Sequence, residues 1–138
     1  MADVVKRIEY YYTVVPDRAG AGAKVLDALK AARVNLLAFS GFPCGEGHAQ
    51  LDFVPSNQRA FRAAARKAGI RLVGPKTAFL IQGQDRVGSV AGIADKLAKA
   101  HINVTAVDAV AAGRGRYGAV LWVKSRNLGR AAKILGAS

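Results

Sequence analysis

Two short stretches of the chain carry the same polar residues at the same spacing. Asp17, Arg18 and Gly20 stand before one helix-like run, and Asp85, Arg86 and Gly88 stand before another. A glycine at a helix start leaves the first backbone N–H groups open, and the partial positive charge there suits a carboxylate. An aspartate on the same loop can accept hydrogen bonds from an ammonium group. An arginine can clamp a carboxylate with its fork of donors. Asn35 and Asn103 open the following strands and offer both donor and acceptor. With Ala21 and Ser89, the first helical residues, they make two candidate sites for a zwitterion. The Gly20-Ala21-Gly22 stretch of the first is unusually open. The same residues also have a structural reading. Asp before a helix favours its N-terminus by capping or through the dipole. Asn between helix and strand tolerates the left-handed conformation, and glycine permits a tight turn.

The two stretches belong to an internal repeat with an offset of 68. Between Asp17–Ala38 and Asp85–Ala106, nine of 22 aligned pairs are identical, including Asp17/Asp85, Arg18/Arg86, Gly20/Gly88 and Asn35/Asn103. Alanine-rich helices align by accident, but Asp-Arg-x-Gly and a lone Asn in one frame do not. A repeat of this period predicts two equivalent structural units.

Each unit reads alike. Residues 8–15 alternate Ile8, Tyr10, Tyr12 and Val14 against Tyr11 and Thr13, the pattern of a strand. Residues 77–82 are its counterpart. Helices are predicted over 21–33, with Val25, Leu29 and Ala32 on one face, and over 89–101, with Ile93, Leu97 and Ala100. Second strands follow at 35–42 and 103–111. Glycine-bearing turns lead to third strands at 48–54 and 116–124. Ser56 and Asn57 are placed to cap a second helix ending at Lys67, and 125–135 is its shorter partner. A short strand at 71–73 completes the first unit, and Gly74-Pro75 is read as the separator. The order β-α-β-β-α-β is that of the ferredoxin-like fold. The expectation is an α+β protein of two tandem units, residues 1–75 and 76–138, packed as one body. The second unit lacks its last strand. The segment 3–6 or a partner chain is expected to cover that edge, because unpaired strand edges are a liability.

Composition narrows the function classes. Of 138 residues, 51% are hydrophobic, enough to fold, and no run approaches the ~20 apolar residues of a membrane span. The first residues lack the apolar core of a secretory leader. A single cysteine, Cys44, cannot form an internal disulfide framework. These features point to a cytoplasmic globular protein. The net charge of +12 is spread along the chain, +5 through Pro75 and +7 from Lys76 onward, rather than held in a tail. Spread charge attracts polyanions without specificity and decides nothing about fold.

The strand, the Asp-Arg-x-Gly turn, the helix and the following x-Asn-hydrophobic strand resemble the ACT domain family. Residues 15–20 with 34–36 carry the likeness in the first copy, and 84–88 with 102–104 in the second. Ala19 and Val87 depart from the proline common at that position in the family. The resemblance implies a regulatory module that binds an amino acid or similar metabolite where two such units or chains meet. It also implies a homo-oligomer, most simply a dimer, with a protein partner to regulate. No attached catalytic domain, no catalytic residues and no cofactor are expected.

Other chemistry has less support. Cys44, Glu46 and His48 sit close together, but the second copy has Ala112 and Arg116 where Cys44 and His48 stand. Two histidines and one cysteine make a poor metal set, and no phosphate-binding loop is present. The competing reading is nucleic-acid binding on an RNA-recognition-like sheet, with Phe79 and residues 116–122 imitating its stacking motifs. Ala119 stands where a stacking aromatic belongs. Arg59, Arg62 and Arg66, and Arg126, Arg130 and Lys133, form basic helical stripes whose default role is a solvated face.

Overall fold

The computed structural model describes residues 3–138. In chain order the elements are β1 (Val4–Pro16), α1 (Ala21–Ala31), β2 (Leu36–Gly45), β3 (His48–Pro55), α2 (Gln58–Lys67) and β4 (Val73–Gln84). They continue with α3 (Ser89–Lys99), β5 (Ala106–Gly113), β6 (Arg116–Trp122) and α4 (Leu128–Leu135), which a 3-10 turn over Ser125–Asn127 precedes. The chain is an α+β protein with antiparallel strand pairing, as the predicted element order requires.

It divides into two compact units. One is Glu9–Lys76. The other is Thr77–Ser138 together with the described N-terminal residues through Ile8. A division of the chain into 1–75 and 76–138 therefore differs from the observed one at the N-terminus, where Val4–Ile8 join the later unit. The strand order is β2-β3-β1-β4 in the first unit and β1-β4-β6-β5 in the second. Both are the ferredoxin-like order, and the strand missing from the second repeat is supplied by the start of β1. The Ser138 N–H donates to the Val5 carbonyl at 3.1 Å, and the Arg7 N–H to the Ser138 carbonyl at 3.0 Å. Val5 is buried among the residues of the second core.

Gly74-Pro75 does not end a strand. β4 runs through it from Val73 to Gln84. Proline lacks a ladder donor but is tolerated at a sheet edge, and β4 is the outer strand of the first unit's order. Gly74 is required by its surroundings as well as by its φ of 132°. A Cβ there would lie 2.9 Å from the Tyr10 carbonyl oxygen and 3.1 Å from the Tyr11 ring.

The repeat is visible in the backbone, residue for residue. Gly20 and Gly88 are left-handed N-caps, with φ of 89° and 80°. Asp17 and Asp85 each donate their N–H at 2.8 Å, to the carbonyls of Gly47 and Gly115. Arg33 and His101 take left-handed conformations just past their helices, at φ 60° and 59°. The predicted helices over 21–33 and 89–101 therefore stop two residues early. Asn35 and Asn103 are not the left-handed residues; Arg33 and His101 are.

Each unit has its own core. In the first, Tyr11, Phe53 and Phe61 meet in tilted ring contacts, with centroids 5.2 Å (Tyr11–Phe61) and 5.4 Å (Phe53–Phe61) apart, and Leu29 and Leu51 close the cluster. Tyr11 and Thr13 thus form the buried side of β1, while Val14 is exposed. The Thr13 hydroxyl keeps its burial satisfied by donating to the Arg71 carbonyl at 2.7 Å. In the second unit, Phe79, Ile81 and Leu121 pack against Ile93 and Leu97 of α3. The Asn57 side chain accepts from the Ala60 N–H at 2.9 Å and caps α2 as the sequence predicts.

Two glycines separate geometry from propensity. Gly74→Ala should destabilise the protein by about 1–3 kcal/mol, because it strains φ and meets the Tyr10 carbonyl. Gly92→Ala, inside α3 with nothing within 4 Å of the added Cβ, should stabilise by about 0.5–1 kcal/mol. Urea denaturation of both variants measures the contrast.

Candidate functional site

The two strand-to-helix corners form because β1 and β4 end in polar turns and a left-handed glycine redirects the chain into each helix. Neither helix start has a side-chain cap: Gly20 and Gly88 are the N-caps and no side chain accepts from the first turn. Asp17 and Asp85 therefore do not cap, and the structural reading of these aspartates by capping is set aside.

The first corner is open. Asp17, Arg18 and Gly20 are exposed and Ala21 is half-buried. The side chains of Asp17 and Arg18 make no hydrogen bond or ion pair among the described residues. The β2–β3 hairpin borders the corner, since Pro16 pairs with His48 and Asp17 bonds to Gly47. On that hairpin, Cys44, Gly45, Glu46 and His48 line a shallow depression of about 490 Å³ with Val14. His48 Nδ1 lies 2.8 Å from the Glu46 carbonyl, so the imidazole is held by its own hairpin.

Asn35 is elsewhere. Leu36 pairs with Pro55, at the opposite end of β3 from His48. Seven residue steps of strand separate the two ends, about 23 Å at ~3.3 Å per residue. Asn35 instead lines a second depression of about 680 Å³ with Leu26, Leu29, Lys30 and Arg33, and its carbonyl accepts from the Ser56 N–H at 3.0 Å. The second unit repeats this. Gln84 pairs with Arg116 beside Asp85, whereas Ala106, just after Asn103, pairs with Trp122 at the far end of β6. Within a unit, then, Asp, Arg and Gly come together and Asn does not join them. The cause is topological. A helix that returns antiparallel to its strand delivers the next strand's start to the opposite end.

The second corner is closed. Arg86 Nη1 donates to Asp3 Oδ1 at 3.2 Å and Nη2 to Asp3 Oδ2 at 3.4 Å, while Nη1 also donates to the Gln84 carbonyl at 3.0 Å. The Asp3 side chain is only 12% exposed and that of Arg86 47%. The Tyr117 ring and the Asp3 carboxylate border the same Gly83 position, and the buried Tyr117 hydroxyl makes no hydrogen bond among the described residues. Ser89 is buried and Gly88 and Asp85 are exposed. Burial works to raise the Asp3 pKa, but Arg86, Tyr117 and the charge of Lys96 outweigh it and hold the carboxyl below its ordinary value. Burial, reinforced by Asp3, pushes the Tyr117 hydroxyl up to about 12. Asp3 and Tyr117 were not singled out in the sequence. Gly83, one residue before the end of β4, is the available signal, because a glycine within a strand often marks a close approach.

The aromatic residues do not make a base-stacking surface at the predicted positions. Phe79 is fully buried in the helix-packed core, and Tyr117 points into the same cluster. Of the basic stripes, Arg62 donates to the Tyr11 hydroxyl at 2.7 Å and Arg130 to the Ala100 carbonyl at 2.6 Å. No helix among the described residues is long and apolar enough to cross a membrane.

No protein-family model matches the chain, and no curated protein matches it. Solved structures do. A protein of Bacteroides thetaiotaomicron superposes with a TM-score of 0.79 at 14% identity, over 97% of this chain and 88% of that one. The regulatory subunit of aspartate kinase from Thermus thermophilus, in ligand-free form, superposes with a TM-score of 0.65 at 16% identity, over 99% and 95%. The fold is a tandem ACT-like one. Escherichia coli aspartokinase III, solved with aspartate and ADP, matches over 97% of this chain but only 32% of its own length, with a TM-score of 0.56 and 12% identity. The likeness thus covers a whole regulatory subunit and about a third of a whole kinase.

A pH titration tests the second corner. Folding raises the Tyr117 pKa from 10.0 to about 12. Its stabilising contribution is therefore complete below pH 10 and is lost as pH rises toward about 12. Tyr117→Phe has no proton to lose and should flatten the fall in Tm over that interval, measured by thermal denaturation from neutral pH upward.

Proposed function

We propose that this protein is a non-catalytic regulatory module that binds a small amino acid or related metabolite. The first corner is its binding surface, with the α1 N-terminus and Arg18 facing the ligand's carboxylate and Asp17 its ammonium group. The observation that carries this reading is the unpartnered Asp17–Arg18 pair beside an uncapped helix start, on a fold shared with the aspartate kinase regulatory subunit. Asn35 stands at the other end of its own unit, so the asparagine completing the site comes from a second copy of the chain. Ligand binding would then favour one dimeric arrangement over others, and that preference would pass to a protein partner in the cytoplasm. A ligand shifts such an equilibrium only by its differential affinity for the two states.

The burial of Phe79 counts against the nucleic-acid reading, which needs that ring on an open sheet face. The net charge of +12 then serves solubility and steering.

A thermal-shift screen of the twenty amino acids tests the proposal. At a ligand concentration of ~100 times Kd, binding stabilises by about 2.7 kcal/mol, which appears as several degrees in Tm. Asp17→Ala should remove the response while leaving unfolding cooperative, and Asn35→Ala should reduce both the response and any ligand-dependent dimer seen by light scattering. Absence of a shift with every amino acid, alongside salt-sensitive oligonucleotide binding, would overturn it.

A further inference from the structure

The two corners share a backbone, yet their linings differ in a directed way. At an offset of 68, Gly83, Ser89 and Tyr117 of the second unit replace Val15, Ala21 and Ala49 of the first. An apolar corner in one copy has become a small space with two hydroxyl groups in the other. Gly83 explains the space. Its φ is ordinary, so backbone conformation does not demand glycine there. A Cβ would instead collide with the Asp3 carboxylate and lie 3.1 Å from the Tyr117 ring. Glycine is needed because a carboxylate is there.

We propose that the second corner is a carboxylate-binding site, and that its occupant is the chain's own Asp3. Four features converge on that one group. Arg86 approaches both oxygens with its two terminal nitrogens, and its guanidinium is steadied by the Gln84 carbonyl. Tyr117, a residue only 5% exposed, borders the carboxylate at Gly83. Lys96, on α3, adds positive charge. The cleared position at Gly83 admits the carboxylate's bulk. The site lies at Ser89, the first residue of α3, where an amino acid's carboxylate would otherwise be received.

Asp3 is tethered through β1, so it competes as an intramolecular ligand. Short tethers give effective concentrations on the order of millimolar or higher. A free carboxylate must exceed that level to displace it. The second corner is thus self-liganded. Resting on the proposed function, it follows that each chain takes external ligand at the first corner only.

Chemical rescue tests the site without any knowledge of the natural ligand. Asp3→Ala vacates the corner and should lower Tm by several degrees. Sodium acetate at tens of millimolar should restore much of that loss, relative to sodium chloride of equal ionic strength. Wild type should show no such acetate-specific gain. Asp3→Asn keeps the volume filled and should not respond, and Asp3→Ala with Arg86→Ala should lose the rescue. If Asp3→Ala does not fold, recovery of the folded state on refolding in acetate but not chloride is the same readout. An equal response of Asp3→Ala and the double variant to acetate would overturn the proposal. None of these outcomes depends on whether the first corner binds an amino acid.

Discussion

A β-sheet tolerates no unanswered edge inside a packed unit, and this requirement governs the second half of the molecule. The segment Thr77–Ser138 carries strands, helices and a core of its own, but it holds only three of the four strands that the ferredoxin-like order needs. Without the fourth, the backbone groups of β4 facing that edge would be unpaired and part of the core exposed. Val4–Ile8 meets the need. It buries Val5 in the core, ties to the last residue through Ser138 and brings Asp3 to the mouth of α3. The closed corner is therefore a by-product of how the sheet is completed. A strand recruited for backbone pairing arrives with a carboxylate at its leading end.

The repeat made most of the architecture legible. An offset of 68 was already plain in Asp17/Asp85, Gly20/Gly88 and Asn35/Asn103, and the same offset relates Arg33 to His101 and Gly47 to Gly115 in the backbone. The Asn57 cap and the helix faces led by Leu29 and Leu97 could be read from local chemistry. The break assigned to Gly74-Pro75 could not, because local propensity favours a turn there while the ladder carries the strand onward. The need for a covering strand followed from counting elements, with segment 3–6 or a partner chain as its two candidates; the choice of the former rests on a pairing between residues more than a hundred positions apart.

The candidate site was legible in composition and not in arrangement. Residue types suited to a zwitterion were present twice, and the glycines do leave both helix starts without side-chain caps. Grouping Asn35 with Asp17 treated nearness in the repeat as nearness in space. The β-α-β crossover sends them to opposite ends of β3. The difference between corners was hidden for another reason. Asp85 and Arg86 match Asp17 and Arg18 by type, and what distinguishes them is a neighbour from the far end of the chain. Tyr117 in a strand reads as an ordinary core residue, and only its place beside Asp3 at Gly83 says otherwise.

The exchange of the first strand also gives the two units different histories during synthesis. Glu9–Lys76 holds every strand of its own sheet within one continuous stretch, so it can close while later residues are still being added. Val4–Ile8 precedes the first unit in the chain, yet its partners on β4 and at Ser138 lie beyond that unit. That segment must stay unclaimed until Thr77–Ser138 has been made. Closing so long a loop adds entropy cost only logarithmically, but it orders events in time. Completion of the second unit's sheet thus waits on Thr77–Ser138.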